Sequence, residues 1–259
     1  MICTHRDTTV DIATKRPQMA IWAIGGLEPH GPHLPLGTDV LIVDALAQRV
    51  AERLGDVYLL PTFPFGVSVS HRGGTIGAVS LRFETLMAVV RDVVESLYAQ
   101  RISKVAVINN IGVVEGASVM PFQNRIVKTA IRQINYDHPE SQVIWVHPAS
   151  VARRSLQDIL GEGGSDLHAG ELETSLMLYL YPKLVKDIPQ GYAPAIHKSY
   201  LSYLPLSVLA PQGIWGRPDL ASAEKGRLAF EAMVRETVRY IRRSFSILER
   251  IKKEVEIHG

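Results

Sequence analysis

Short apolar runs alternate with amphipathic stretches along most of the chain. Met19–Gly26 (MAIWAIGG) is apolar throughout and ends in a Gly pair, the pattern of a strand buried on both faces. Further on, VLIVDALAQRVAERLG spaces its apolar residues at helical intervals and stops at Gly55, a helix terminator. VYLLPTF is the next expected strand and LRFETLMAVVRDVVESLYAQ the next amphipathic helix. Lys104–Asn110 (KVAVINN) and Gln142–Pro148 (QVIWVHP) read as two more buried strands. From Asp219 to Lys253 the spacing predicts one long amphipathic helix, continuous or broken. Apolar strands alternating with helices predict an α/β fold, a mainly parallel sheet sandwiched by helices.

There is no internal repeat and no low-complexity segment. The Pro- and Gly-containing stretch from Tyr192 to Pro218 carries Tyr192, Tyr200, Tyr203 and Trp215, too many aromatics for a disordered linker. It reads as an ordered excursion that shapes an active site or a subunit contact, and residues 1–259 read as one domain. Hydrophobic residues make up 46% of the 259, enough for a sizeable core. A formal charge of +2 requires neither nucleic acid nor an anionic membrane as partner. The basic segment Arg239–Lys253 is interspersed with acids and reads as a solvated helix face. The single cysteine, Cys3, near an N-terminus expected to be flexible, excludes an internal disulfide framework and a cysteine-rich zinc site, and is a poor candidate nucleophile. The opening MICTHRDTTVDIATKR is too polar for a signal peptide, and no apolar run is long enough to span a bilayer. The expectation is a soluble, cytoplasmic protein.

The chemistry concentrates in Leu27–Asp39, LEPHGPHLPLGTD. One Glu, two His and one Asp share thirteen residues with three prolines and two glycines. The segment directly follows an expected strand, where ligands bind in doubly wound sheets. Glu28 and His30, two apart, point to the same side of an extended backbone. Carboxylates with imidazole suit zinc, manganese or iron(II), and one bridging carboxylate can hold two such ions about 3.5–4 Å apart. Pro29, Pro32 and Pro35 stiffen the loop, as preorganised ligands require.

EPHGPHLPLGTD closely resembles the signature E-x-H-G-P-H-L-P-L-x-T-D of the creatininase, or creatinine amidohydrolase, family. The resemblance implies a parallel α/β sandwich, commonly assembled as a hexamer, in which a divalent metal pair activates water to cleave an amide or cyclic amide. It implies Glu28, His30 and Asp39 as metal ligands, with Asp39 bridging and His33 in support. A second stretch, DLHAGELETS (Asp166–Ser175), is similar to the family's D-x-H-A-G-x-x-E-T-S. His168 then holds the place of the catalytic histidine, a general acid or base suited by an imidazole that titrates near neutrality. Glu173 matches the Glu of E-T-S, either ligating metal or orienting the site. Glu171 has no counterpart, and on a helix it points away from Glu173, so at most one of the two faces the metal.

The family's third landmark, N-G-H-G-G-N or N-G-H-x-E-N, is degraded. Asn109 matches its first Asn, but Ile111 stands where the resemblance places a ligand histidine. Val113 takes the place of the Glu, and Glu115 substitutes as a ligand only if the loop shifts. The segment GVSVSHRGGTIGAVSL is similar to the family's G-x-S-x-x-H; its His71 reads as a loop residue that shapes the pocket rather than as a ligand, and His147 reads as a strand-end packing residue. The leading expectation is a metal-dependent amidohydrolase with one or two zinc, manganese or iron ions per chain, acting on a small-molecule amide as a homo-oligomer. The alternative is a non-catalytic paralogue, a small-molecule-binding or assembly subunit, which Ile111 favours and the retention of Glu28, His30, Asp39 and His168 disfavours. A nucleotide-binding reading of AIGGLEPHG fails on the spacing of G-x-G-x-x-G.

Overall fold

The computed structural model describes residues 2–67, 76–109, 122–161, 166–210 and 212–258. Five strands form one parallel sheet: β1 (Ile2–Thr4), β2 (Met19–Ile24), β3 (Val57–Leu59), β4 (Lys104–Asn109) and β5 (Gln142–Val146). Their order is β1-β3-β2-β4-β5. At the centre, β2 pairs with β4 from Ala20 opposite Val105 to Ile24 opposite Asn109. The helices are α1 (Thr9–Lys15), α2 (Thr38–Leu54), α3 (Phe83–Ala99), α4 (Phe122–Asp137), α5 (Pro148–Val151), α6 (Arg153–Gln157), α7 (Glu171–Leu180), α8 (Leu206–Leu209) and α9 (Ala223–His258).

The strands read as continuous apolar runs because both faces are covered. Ile21, Ala23, Ala106, Ile108, Ile144 and Val146 enter one core with α2, α7 and α9. Their alternating neighbours Ala20, Trp22, Ile24, Val105, Val107 and Val143 enter a second core with α3 and α4. The expected sandwich is therefore the observed one. From β2 the chain steps to β3 on one side, then crosses back to place β4 on the other. That reversal opens a crevice at the carboxyl ends of β2 and β4, the usual ligand position in such sheets.

Some expectations need correcting. Cys3 lies in the edge strand β1 and is buried, so the chain start is pinned by its pairing with β3 rather than flexible. The terminal helix is unbroken and begins at Ala223, because Pro218–Leu220 form a separate 3-10 turn. β5 stops at Val146, and Pro148 opens α5, where a missing N–H costs nothing. The described part of the excursion at 192–218 is packed, as expected. Leu206, Leu209, Ala210 and Trp215 form a small core there with Leu167, Ile196 and Leu201.

One close crossing sets the depth of α7. A Cβ on Gly226 of α9 would overlap the carbonyl oxygen of Ser175, so glycine lets the two backbones meet. Under α9, every residue from Glu171 to Met177 is buried. Among the described residues, no helix is long and apolar enough to cross a membrane.

Candidate metal centre

The loop between β2 and α2 folds back on itself. Its ends meet where the Glu28 amide donates to the Leu36 carbonyl at 3.0 Å, and Thr38 donates from backbone and hydroxyl to the Pro35 carbonyl. Asp39 follows in the first turn of α2, fully buried. The second motif approaches from across the crevice. His168 pairs backbone to backbone with Trp215, Ala169 takes a left-handed φ of 50°, and α7 starts at Glu171.

These elements bring five functional side chains together. Glu28, His30, Asp39, His168 and Glu173 are all buried. The Nδ1 of His30 lies 3.0 Å from the Glu28 carbonyl oxygen. A carbonyl only accepts, so Nδ1 carries a hydrogen, and Nε2 is the nitrogen turned toward the carboxylates. That Nε2 sits 3.7 Å from Asp39 Oδ1 and 3.7 Å from Glu173 Oε2. On the other side, His168 Nδ1 lies 3.8 Å from Glu28 Oε1, and the two imidazoles stack obliquely with centroids 4.3 Å apart.

The electrostatics follow from three carboxylates in a dry pocket. Burial pushes the His30 imidazole down, but Asp39, Glu173 and Glu28 outweigh it and hold the group up at about 10. Burial pushes Asp39 well above the usual carboxylate range, with Glu28 and Glu173 reinforcing it against the pull of His30. For Glu173 the balance reverses. Burial is overcome by His30, His168 and the Ala169 N–H, 2.6 Å away, which hold it at about 2. His168 is pushed down by burial and by the charge of His30.

The donor set fits a divalent cation. His30 Nε2 and both oxygens of Asp39 are buried with no hydrogen-bond partner among the described residues, a costly state for groups of this polarity. Donors bound to one ion at about 2.0–2.2 Å lie at most about 4.4 Å apart, which the 3.7 Å separations satisfy. Two overlapping groups can be drawn, His30–Asp39–Glu173 and Glu28–His30–His168. Because Nδ1 of His30 is committed to a carbonyl, its Nε2 can serve only one ion.

The remaining candidates fall out as follows. His33 bridges to α7, its Nε2 2.9 Å from Thr174 Oγ1, and burial followed by the charge of His30 pushes it down to about 4. Glu171 and Glu173 diverge as the helical spacing requires. Glu171 turns away to the Gly161 amide and the Lys225 ammonium. His147 caps α5, accepting from the Ser150 amide at 3.1 Å, and stacks on Trp145. His71, Ile111, Val113 and Glu115 lie outside the described residues. Sequence reasoning assigned nothing to Asp166, whose carboxylate accepts the amides of Glu171 and Leu172 at 2.9 Å each and so caps α7. An Asp five residues ahead of that helix was the available signal. Trp215 was legible only as an aromatic of the excursion expected to shape a site, since its pairing with His168 is made by its backbone.

The chain is similar to known proteins over most of its length. The family model for creatininase, creatinine amidohydrolase, matches residues 5–241. The chain is 30% identical over 245 residues to a creatinine amidohydrolase of Pseudomonas putida, covering 86% of this chain and 88% of that one. It is 28% identical over 232 residues to a mycofactocin precursor peptide peptidase of Mycobacterium ulcerans, covering 85% and 83%. A solved structure of creatininase with manganese superposes with a TM-score of 0.78 at 22% identity, over 95% of this chain and 99% of that one.

Proposed function

Because the chain belongs to the creatininase family, we propose that it is a metal-dependent amidohydrolase. It cleaves a C–N bond in a small cyclic amide, a formamide or a related amide, using metal-activated water. Residues 1–259 act as one creatininase-like domain, cytoplasmic and assembled as a homo-oligomer, by family resemblance a hexamer. Nucleic acid and membranes have no part in it.

The observation that carries this reading is the pair of Asp39 oxygens and the His30 Nε2, buried without hydrogen bonds among the described residues and beside a second, differently held histidine. Glu28, His30, Asp39 and Glu173 would hold one or two zinc, manganese or iron ions, with Glu115 the further candidate. Such an ion, when bound, lowers the pKa of water and polarises a carbonyl oxygen. The chain supplies the rest. Its burial keeps bulk water from the carboxylates. His168 Nε2 is fixed by the Pro29 carbonyl at 2.6 Å, so it is Nδ1 that takes a proton from the attacking water and hands it to the leaving nitrogen. The Glu28 carbonyl on Nδ1 orients His30, and Glu173, held ionised, stands beside Nε2 where it would share the ion. The two relatives are named for creatinine and for a precursor peptide, so membership leaves the substrate open.

The test is metal content per chain by plasma mass spectrometry, with a hydrolysis screen over cyclic amides, formamides and short peptides, on wild type and Asp39→Ala. Wild type should hold one or two ions and hydrolyse in proportion to them, and the variant should do neither. Wild-type metal content in Asp39→Ala would refute the site. Bound metal without hydrolysis of any amide would favour the non-catalytic paralogue that Ile111 suggests.

A further inference from the structure

A second site lies at the other end of α2. From Asp39 to Arg53 the helix advances about 21 Å, away from the metal centre. There, Arg53 faces Arg235, Arg239, Arg242 and Arg243 of α9 across a groove of 740 Å³ floored by Val238. Positions 235, 239, 242 and 243 follow helical spacing, so one face of α9 presents all four guanidiniums over about two turns.

The charges do not cancel. Glu231 pairs with Arg53 at 2.6 Å, and Glu236 is shared by Arg235 and Arg239 at 3.1 and 2.8 Å. Among the described residues, Arg242 donates only to the Arg53 carbonyl, at 3.0 Å, and Arg243 has no carboxylate partner. Two carboxylates against five guanidiniums leave three positive charges in excess. Solvated surface arginines ordinarily diverge or pair. Here they converge from two helices on one concavity, and the Arg242 contact with the end of α2 holds one of them at its mouth.

We propose that this groove binds a compact polyanion carrying two or more phosphoryl groups, of the diphosphate or triphosphate class. The planar guanidinium fork binds phosphate bidentately. The charge excess matches a ligand of two to four negative charges, and the groove is of small-molecule size. The arginines in excess are confined to about two turns, since further along that face Arg250 pairs with Glu254 at 3.8 Å, and this speaks against an extended nucleic-acid backbone, which tracks long positive surfaces. The site stands apart from the amidohydrolase centre and does not depend on the reading of that centre.

The probe is inorganic pyrophosphate, titrated calorimetrically into the full-length protein at constant ionic strength, with hydrogen–deuterium exchange to locate it. Both arms also use the exposed double variant Arg242→Gln/Arg243→Gln, checked for wild-type circular dichroism and metal content. The expected result is saturable binding at one per chain, at least tenfold weaker in the variant. Protection should appear in 49–54 and 235–243. Equal affinity in the variant, or protection confined to 28–39 through chelation at the metal centre, would overturn the proposal. So would tighter binding of citrate or of a single-stranded oligonucleotide at the same ionic strength.

Discussion

His168 Nε2 lies 2.6 Å from the carbonyl oxygen of Pro29, joining two motifs that stand 139 positions apart in sequence. The contact decides the tautomer, since the carbonyl can only accept. Nε2 keeps its proton, and Nδ1 faces Glu28. His168→Ala should therefore leave metal content at the wild-type level while lowering kcat about 10²–10⁴-fold, the usual weight of a general acid or base. Plasma mass spectrometry and steady-state kinetics check the two halves separately. Metal loss in this variant would make His168 a ligand instead, through its grouping with Glu28 and His30.

The His33–Thr174 contact ties the loop after β2 to the helix that carries Glu173. Both residues are fully buried, and burial, with the charge of His30, pushes His33 down to about 4, so it is neutral near pH 7. Thr174→Val keeps the shape and deletes the hydroxyl, leaving a buried imidazole nitrogen unsatisfied. The expected cost is about 1–3 kcal/mol of unfolding free energy. Thr174→Ser should recover most of it. Chemical denaturation of the three proteins measures this, and equal stability in wild type and Thr174→Val would remove the bridge from the account.

Gly226 predicts a larger loss. A Cβ there meets the Ser175 backbone, which cannot rotate away as a side chain would. Gly226→Ala should force α9 off α7, cost more than about 3 kcal/mol and weaken metal retention, because α7 carries Glu173. A thermal melt within a degree or two of wild type would contradict it.

The parallel sheet and the loop from Glu28 to Asp39 were legible in sequence because each rests on local pattern. Runs such as MAIWAI declare a strand covered on both faces, and the E-x-H spacing declares a side. α4 was harder to see. Its first turn carries Gln123 and Asn124, polar in sequence yet buried. Gln123 bonds to the Gly25 carbonyl, the Asn109 side chain and the Val67 amide, partners that only the fold assembles. The same holds for Trp215, which fixes His168 by backbone pairing and shows nothing of this in its side chain. Arg53 and the arginines of α9 are 182 or more positions apart in the chain, so their convergence is a tertiary fact. A helical face of arginines looks the same in sequence whether it meets solvent or a groove.

Asp166 yields a prediction in pH. Its carboxyl accepts two backbone amides at the start of α7, and side chains on Gly170 or Gly216 would collide with it. Burial pushes it up to about 7, against the pull of those two N–H donors. In the unfolded chain an Asp releases its proton near its ordinary value of 3.8. Between these two values the folded state holds a proton that the unfolded state has lost, so stability falls as pH rises. The contribution is fully present below about pH 4 and lost by the time pH passes about 7, with a slope of at most about 1.4 kcal/mol per pH unit. Asp166→Asn removes the titration and adds a constant penalty, because one of the two amides then faces an NH₂ group. The difference in unfolding free energy, wild type minus variant, should therefore shrink steadily from pH 4 to pH 7 and level off above. Parallel curves across that window would mean that the two amide bonds win and that Asp166 is ionised throughout.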